Sequence, residues 1–210
     1  MALHLTGDPA ADDLLTRNPL ALLIGMLLDQ QVPMETAFAG PLKISQRIGA
    51  GAGEDDGAGR DDVATMDAAT LAGYDPEALA ALFAQTPAVH RFPGSMAGRV
   101  QALCRDIEAD WGGDAAAVWT KGEPSGKEVL KRLKTLPGFG EQKAKIFVAL
   151  LGKQCGFTGD GWREASAPYG EEGSYRSVAD IVSAESLALV RAHKKEMKAA
   201  ARGAKASTDR

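Results

Sequence analysis

Apolar positions recur at three- and four-residue spacing along most of the chain, and no stretch of strand length alternates cleanly, so the pattern predicts helices throughout. Asn18-Pro19 reads as the N-cap and first turn of a helix whose apolar run continues from Leu20 to Leu28. Pro33 breaks that pattern, and a second helix is predicted from Met34 to about Ile48, bent at Pro41. A Gly/Asp-rich loop over 49–59 follows, then short helices at Asp67–Ala72 and Pro76–Phe83. Ser95 is placed to N-cap a helix with Met96, Val100, Leu103, Cys104 and Ile107 at helical spacing, ended by Trp111-Gly112-Gly113. Ser125 and Glu128 have the spacing of a capping box, ahead of a short buried stripe of Val129, Leu133 and Leu136. A turn, Leu136-Pro137-Gly138-Phe139-Gly140, leads into a helical run from Glu141 to Leu151. Residues 156–173 read as loop, and a last helix is predicted from about Ala184 to Ala201.

The fold class expected is therefore all-α, one domain over residues 1–210 with two helical lobes. One lobe would hold the turn and most of 81–155, and the other would join the N-terminal helix to the C-terminal segment. With 45% hydrophobic and 25% charged residues the composition is that of a globular chain, not a disordered or collagen-like one. The longest apolar run falls short of the ~20 residues of a membrane helix, so no membrane association is expected. The N-terminus lacks the basic-then-apolar layout of a signal peptide. Two cysteines, Cys104 and Cys155, and three scattered histidines suit an intracellular, cytoplasmic protein without a structural metal.

Charge changes the picture more. The net charge is −4, but residues 1–80 carry −9, with an acidic loop at 50–62, while residues 81–210 carry +5 and end in a basic tail at 202–210. A local positive field matters more than the total for meeting a polyanion. The stretch Leu133–Leu151 supplies chemistry to match. Gly138 and Gly140 permit positive φ and a close backbone approach to an outside group. The next helix offers unpaired N–H groups and the positive end of its dipole, a combination that suits phosphate, with Lys143 and Lys145 adding charge. Phe139 can pack into the hairpin. No Walker motif, dinucleotide fingerprint or internal repeat is present.

Leu-Pro-Gly-Phe-Gly between two helices resembles the helix-hairpin-helix of the HhH-GPD superfamily of base-excision DNA glycosylases, which includes endonuclease III and 3-methyladenine DNA glycosylase II. A second match, Leu27-Leu28-Asp29-Gln30-Gln31-Val32-Pro33, is similar to the end of a helix in the alkylation-repair branch. The resemblance covers roughly Asn18 to Arg163. It implies that Gly138, Phe139, Gly140, Lys143 and Lys145 grip a DNA phosphate, with a monovalent cation possible at the 138–140 backbone. It implies that Gln31 and Met34 enter the gap left by a flipped base. Bifunctional members carry an imine-forming lysine where this chain has Gln142, and Lys143 is rotated ~100° from it, so the resemblance is to monofunctional members. With two cysteines there is no iron–sulfur cluster, and no other cofactor is expected.

Counting about eighteen residues from Gln142, the family's catalytic aspartate falls on Asp160. Asp180 is its competitor and Glu164 a third possibility. A carboxylate is what such chemistry needs, because breaking an N-glycosidic bond builds positive charge on the sugar. Trp162 and Tyr169 flank this loop and are candidates for the walls of a base pocket. The expected function is a monofunctional DNA glycosylase, nucleoid-associated and monomeric, acting on duplex DNA with a damaged base. The Gln-Gln motif favours an alkylated or deaminated purine. Two alternatives stay open: a helix-hairpin-helix protein that binds DNA or senses lesions without catalysis, and an all-helical interaction protein without DNA.

Overall fold

The computed structural model describes residues 2–51 and 66–208, and all regular structure among them is helical. The expected acidic loop at 50–62, from residue 52 onward, and the side chains of the basic tail at 202–210 lie outside the described residues. No described helix is long and apolar enough to cross a membrane.

The chain opens with α1 (Pro9–Arg17) and α2 (Pro19–Leu28). Each begins with a capping side chain followed by proline: Asp8 accepts from the Ala10 N–H and Asn18 from the Ala21 N–H. The first of these starts carries the same signal as the second, on a helix absent from the expectations above, whose apolar stripe is narrow: Ala11, Leu14 and Leu15. Every residue of α2 from Leu20 to Leu28 is buried, which makes it the central rod of the N-terminal half. The predicted helix 34–48 is two helices, α3 (Met34–Phe38) and α4 (Gly40–Gly51), separated at Ala39 just before Pro41. Then come α5 (Ala68–Gly73), capped by Asp67, and α6 (Pro76–Ala84), capped by Asp75.

The long helix α7 (Pro93–Trp111) starts two residues ahead of the expected Ser95 cap, with proline in its first turn and no side-chain cap. It ends at Gly112, which takes a left-handed conformation (φ 62°). α7 packs on α5 and α6 and touches α2, so it belongs with the N-terminal helices and not with the turn at 136–140.

The C-terminal half is built from α8 (Ala117–Thr120), α9 (Gly126–Thr135), α10 (Glu141–Gln154) and α11 (Trp162–Ala165), then a 3-10 turn (Val178–Asp180) and α12 (Ala184–Thr208). Ser125 caps α9 by accepting from the Glu128 N–H, but the reciprocal half of the box is not made; the Glu128 carboxylate pairs with Arg132 instead. α10 packs against α9, α11 and the 3-10 turn. One continuous apolar core runs through both halves. They meet where the end of α2 abuts the glycine turn, and where Arg191 of α12 pairs with Glu35 of α3 at 2.6 Å.

Candidate functional site

The five residues between α9 and α10 form a tight turn. The Leu136 N–H donates to the Leu133 carbonyl oxygen and the Phe139 N–H to that of Leu136, at 3.0 and 3.1 Å. Gly138 holds φ at +80°, a conformation that strains any residue with a Cβ. Phe139 is the anchor: it is buried, and its ring meets Phe147 of α10 edge-on at 5.8 Å. Its contribution to a ligand is therefore limited to its backbone. α10 begins at Gly140 with no side-chain cap, and its first internal bond is the Ala144 N–H to the Gly140 oxygen. The N–H groups of Glu141, Gln142 and Lys143 thus have no internal acceptor among the described residues, the arrangement an anion can use.

These groups border a cleft of about 810 Å³. Its walls come from three places: Met26, Asp29 and Gln30 at the end of α2; the turn and first face of α10, from Gly138 to Ile146; and the basic face of α12, with His193, Lys194 and Met197. Pro168, Tyr169 and Arg176 close one side.

Lys143 reaches across the cleft to α2 and donates to the Leu27 carbonyl oxygen at 2.9 Å. Burial brings its ammonium down from 10.5 to about 8, against the opposing pull of Asp29 and with some help from Arg99. Asp29 is half-buried. Burial pushes its carboxyl above the usual 3.8, despite the attraction of Lys194 and Lys143. No described residue donates a hydrogen bond to it or pairs with it within ion-pair distance. Gln142 donates to the Tyr169 hydroxyl at 2.9 Å. At the mouth, Glu141 pairs with both Lys134 and Lys145, and those two hydrogen bonds hold its carboxyl below the ordinary range.

The structure brings together Gly138, Gly140, Lys143 and Tyr169, with Lys145 at the edge through Glu141. Gln31 is exposed, with φ 57°, but it does not line the cleft; its neighbour Gln30 does. Met34 is buried: it is 6% exposed, held in the core at the start of α3 with the Lys194 amine 3.9 Å from its sulfur. Trp162 is a packing residue. It is wedged between α9 and α10 where Gly126 and Gly152 leave room, and a Cβ on Gly152 would come within 2.4 Å of its ring.

The carboxylates singled out in the sequence lie elsewhere. Asp160 is exposed in a separate depression with Pro124 and Cys155, its backbone oxygen accepting from the Gly126 N–H at 2.8 Å. That loop follows the C-terminal end of α10 while the turn sits at its N-terminal end, and a 14-residue helix spans ~21 Å. Glu164, on α11, does not line the cleft. Asp180 is 8% exposed and fully engaged. It accepts from Lys153 at 2.5 Å, from the Ser174 hydroxyl, and from the N–H groups of Arg176 and Ser177.

Sequence reading gave no role to Asp29, Lys194, His193 or Arg176. The signal for Asp29 was present, as the first polar residue after nine apolar or glycine positions of α2. The α12 residues carried no local signal, since only the fold brings them to the turn. Among the described residues no three His, Cys, Asp or Glu side chains gather as a metal site requires. A monovalent cation at the turn would take backbone carbonyl oxygens, and those of Leu133 and Leu136 each keep one lone pair beyond the bond they accept. No protein-family model, no curated protein and no solved structure matches this chain.

Proposed function

We propose that the chain is a monofunctional DNA glycosylase of base excision repair, with two helical lobes and the damaged strand held in the cleft between them. The observation that carries the reading is the convergence at one cleft of unpartnered α10 amides, three cationic side chains and a half-buried carboxylate. Lys143, Lys194 and Arg176 suit the phosphates that flank a nucleotide. Tyr169 would offer an aromatic face to an extruded base, and Gln31, exposed two residues beyond Asp29, would fill the vacated stack. The chain's own residues would hold the strand and supply the carboxylate. A cation at the turn would add phosphate contacts, and no chemical step depends on it.

The position of Asp160 and Asp180 away from the cleft favours a second reading, a DNA-binding protein without catalysis. Single-turnover excision from duplexes bearing one methylated purine, hypoxanthine, uracil, oxidised guanine, or adenine opposite oxidised guanine separates the two. Excision of one lesion, with strand breaks only after alkali, is the expected result. Breaks without alkali would mean lyase chemistry and end the monofunctional reading. No excision with retained duplex binding at low salt would establish the binding module.

A further inference from the structure

We propose that Asp29, at the C-cap of α2, is the catalytic carboxylate of this site: it faces the sugar of the flipped nucleotide, stabilises the developing cation and receives the proton of the attacking water. The inference rests on the glycosylase reading above.

Most carboxylates with defined surroundings in this chain have an evident structural task. Asp8, Asp67 and Asp75 cap helices. Asp12 accepts from the N–H groups of Leu5 and Thr6 and holds the N-terminal segment against α1. Asp180 is saturated by four donors. Asp29 differs in being half-buried, in lining the cleft at the turn and in having no side-chain hydrogen-bond or ion-pair partner among the described residues. A polar group kept out of water without a partner costs stability, and such groups concentrate where a ligand supplies the missing interaction.

Its neighbours define what that ligand is. The Lys143 amine attracts Asp29, yet it is bonded to the Leu27 oxygen two residues earlier at the same helix end. Lys194 attracts Asp29 from the facing helix without reaching it. An anion entering the cleft meets these cations, and what remains for Asp29 is an electron-poor group between two phosphates, the deoxyribose. The raised affinity of Asp29 for a proton, caused by its burial, suits a base.

The step balances. The C1′–N bond breaks and its electron pair leaves with the base. A water oxygen bonds to C1′, one water proton goes to the Asp29 carboxylate, and the departing base is neutralised by a proton that returns from Asp29 or solvent. No oxidant, metal or covalent enzyme–sugar bond is required.

The test uses the full chain and two duplexes in which one deoxyribose is replaced by an abasic analogue, a cationic pyrrolidine or a neutral tetrahydrofuran. The wild type is expected to bind the cationic duplex at least tenfold more tightly than the neutral one. In Asp29→Asn that ratio should fall to near one, and single-turnover excision should fall about a hundredfold, the scale of a lost acid–base group. A wild type without cation preference, or an Asp29→Asn variant that keeps either the preference or the excision rate, overturns the assignment. So does loss of excision in Asp160→Asn with excision intact in Asp29→Asn. If the preference is present and lost with Asp29 while no lesion is excised, the glycosylase reading fails and Asp29 stands as the carboxylate that receives a cationic sugar analogue. A circular-dichroism melt of each variant verifies folding.

Discussion

Two side chains, Asp29 at the end of α2 and Lys143 on the first turn of α10, bear the electrostatic cost of the cleft, and their titration makes that cost measurable. Folding lowers the Lys143 ammonium from 10.5 to about 8, so between those values the unfolded chain binds the proton that the native chain has released. Stability therefore rises with pH across that window, and removal of the charge removes the trend. Denaturant midpoints measured from about pH 8 to about pH 10 should climb for the wild type and stay flatter in Lys143→Met. Asp29 shifts the other way. Its raised value means that the ionised carboxylate disfavours the native state, a penalty present at neutral pH and absent once pH falls below the ordinary 3.8. The same comparison extended to Asp29→Asn should show a higher neutral-pH midpoint than the wild type, with the two converging in acid. A site that gains stability when its carboxylate is neutralised has kept that group for something other than folding.

At the scale of elements, α9 and α10 are held at a fixed spacing by Trp162. Gly152 provides the close approach, and a methyl group there would meet the indole at 2.4 Å while the facing Gly126 offers no relief. Gly152→Ala should destabilise the fold by about 1–3 kcal/mol through overpacking. It should also weaken duplex binding, since the turn between the two helices shifts with them; chemical denaturation and a binding titration on the same sample check both effects.

The elements also show what a linear reading can reach. Helix starts with a capping side chain and proline, the break near Pro41 and the Leu136–Gly140 turn were legible because their causes are local. The pairing of Lys143 with α2 was not, although Lys143 itself was singled out, because its partner is more than a hundred residues earlier. The spacing that points to Asp160 runs along a loop, and where that loop lies is set by contacts distant in sequence: it sits at the C-terminal end of α10, with the Asp160 backbone oxygen accepting from the Gly126 N–H.

The whole molecule is one core with a seam, and the cleft lies along that seam. Four separated segments supply its walls, so its shape depends on how the two halves sit together more than on either alone. Few polar contacts cross it: the Lys143 bond to Leu27 and the ion pair of Arg191 with Glu35 are the clearest, and an exposed pair of the latter kind contributes at most about 1 kcal/mol. Apolar packing of the shared core, with Leu27 against the turn, joins the halves as well.

Two of the three tryptophans lie in the α9–α10 half, and the third, at the end of α7, touches it through Arg132. Trp111 ends α7 with the Arg132 guanidinium 5.3 Å from its ring centroid, Trp119 meets Phe147 edge-on, and Trp162 fills the space between α9 and α10. Residues 1–110 contain none. Intrinsic fluorescence is thus a one-sided optical probe, reporting the α9–α10 half and blind to α1–α6, whereas circular dichroism at 222 nm sums over every helix. Coincident melting by both signals would show that the halves unfold together. A fluorescence transition displaced from the dichroism curve would show them separating along the cleft, and would turn the uneven placement of three indoles into a gauge of how firmly the site is held shut.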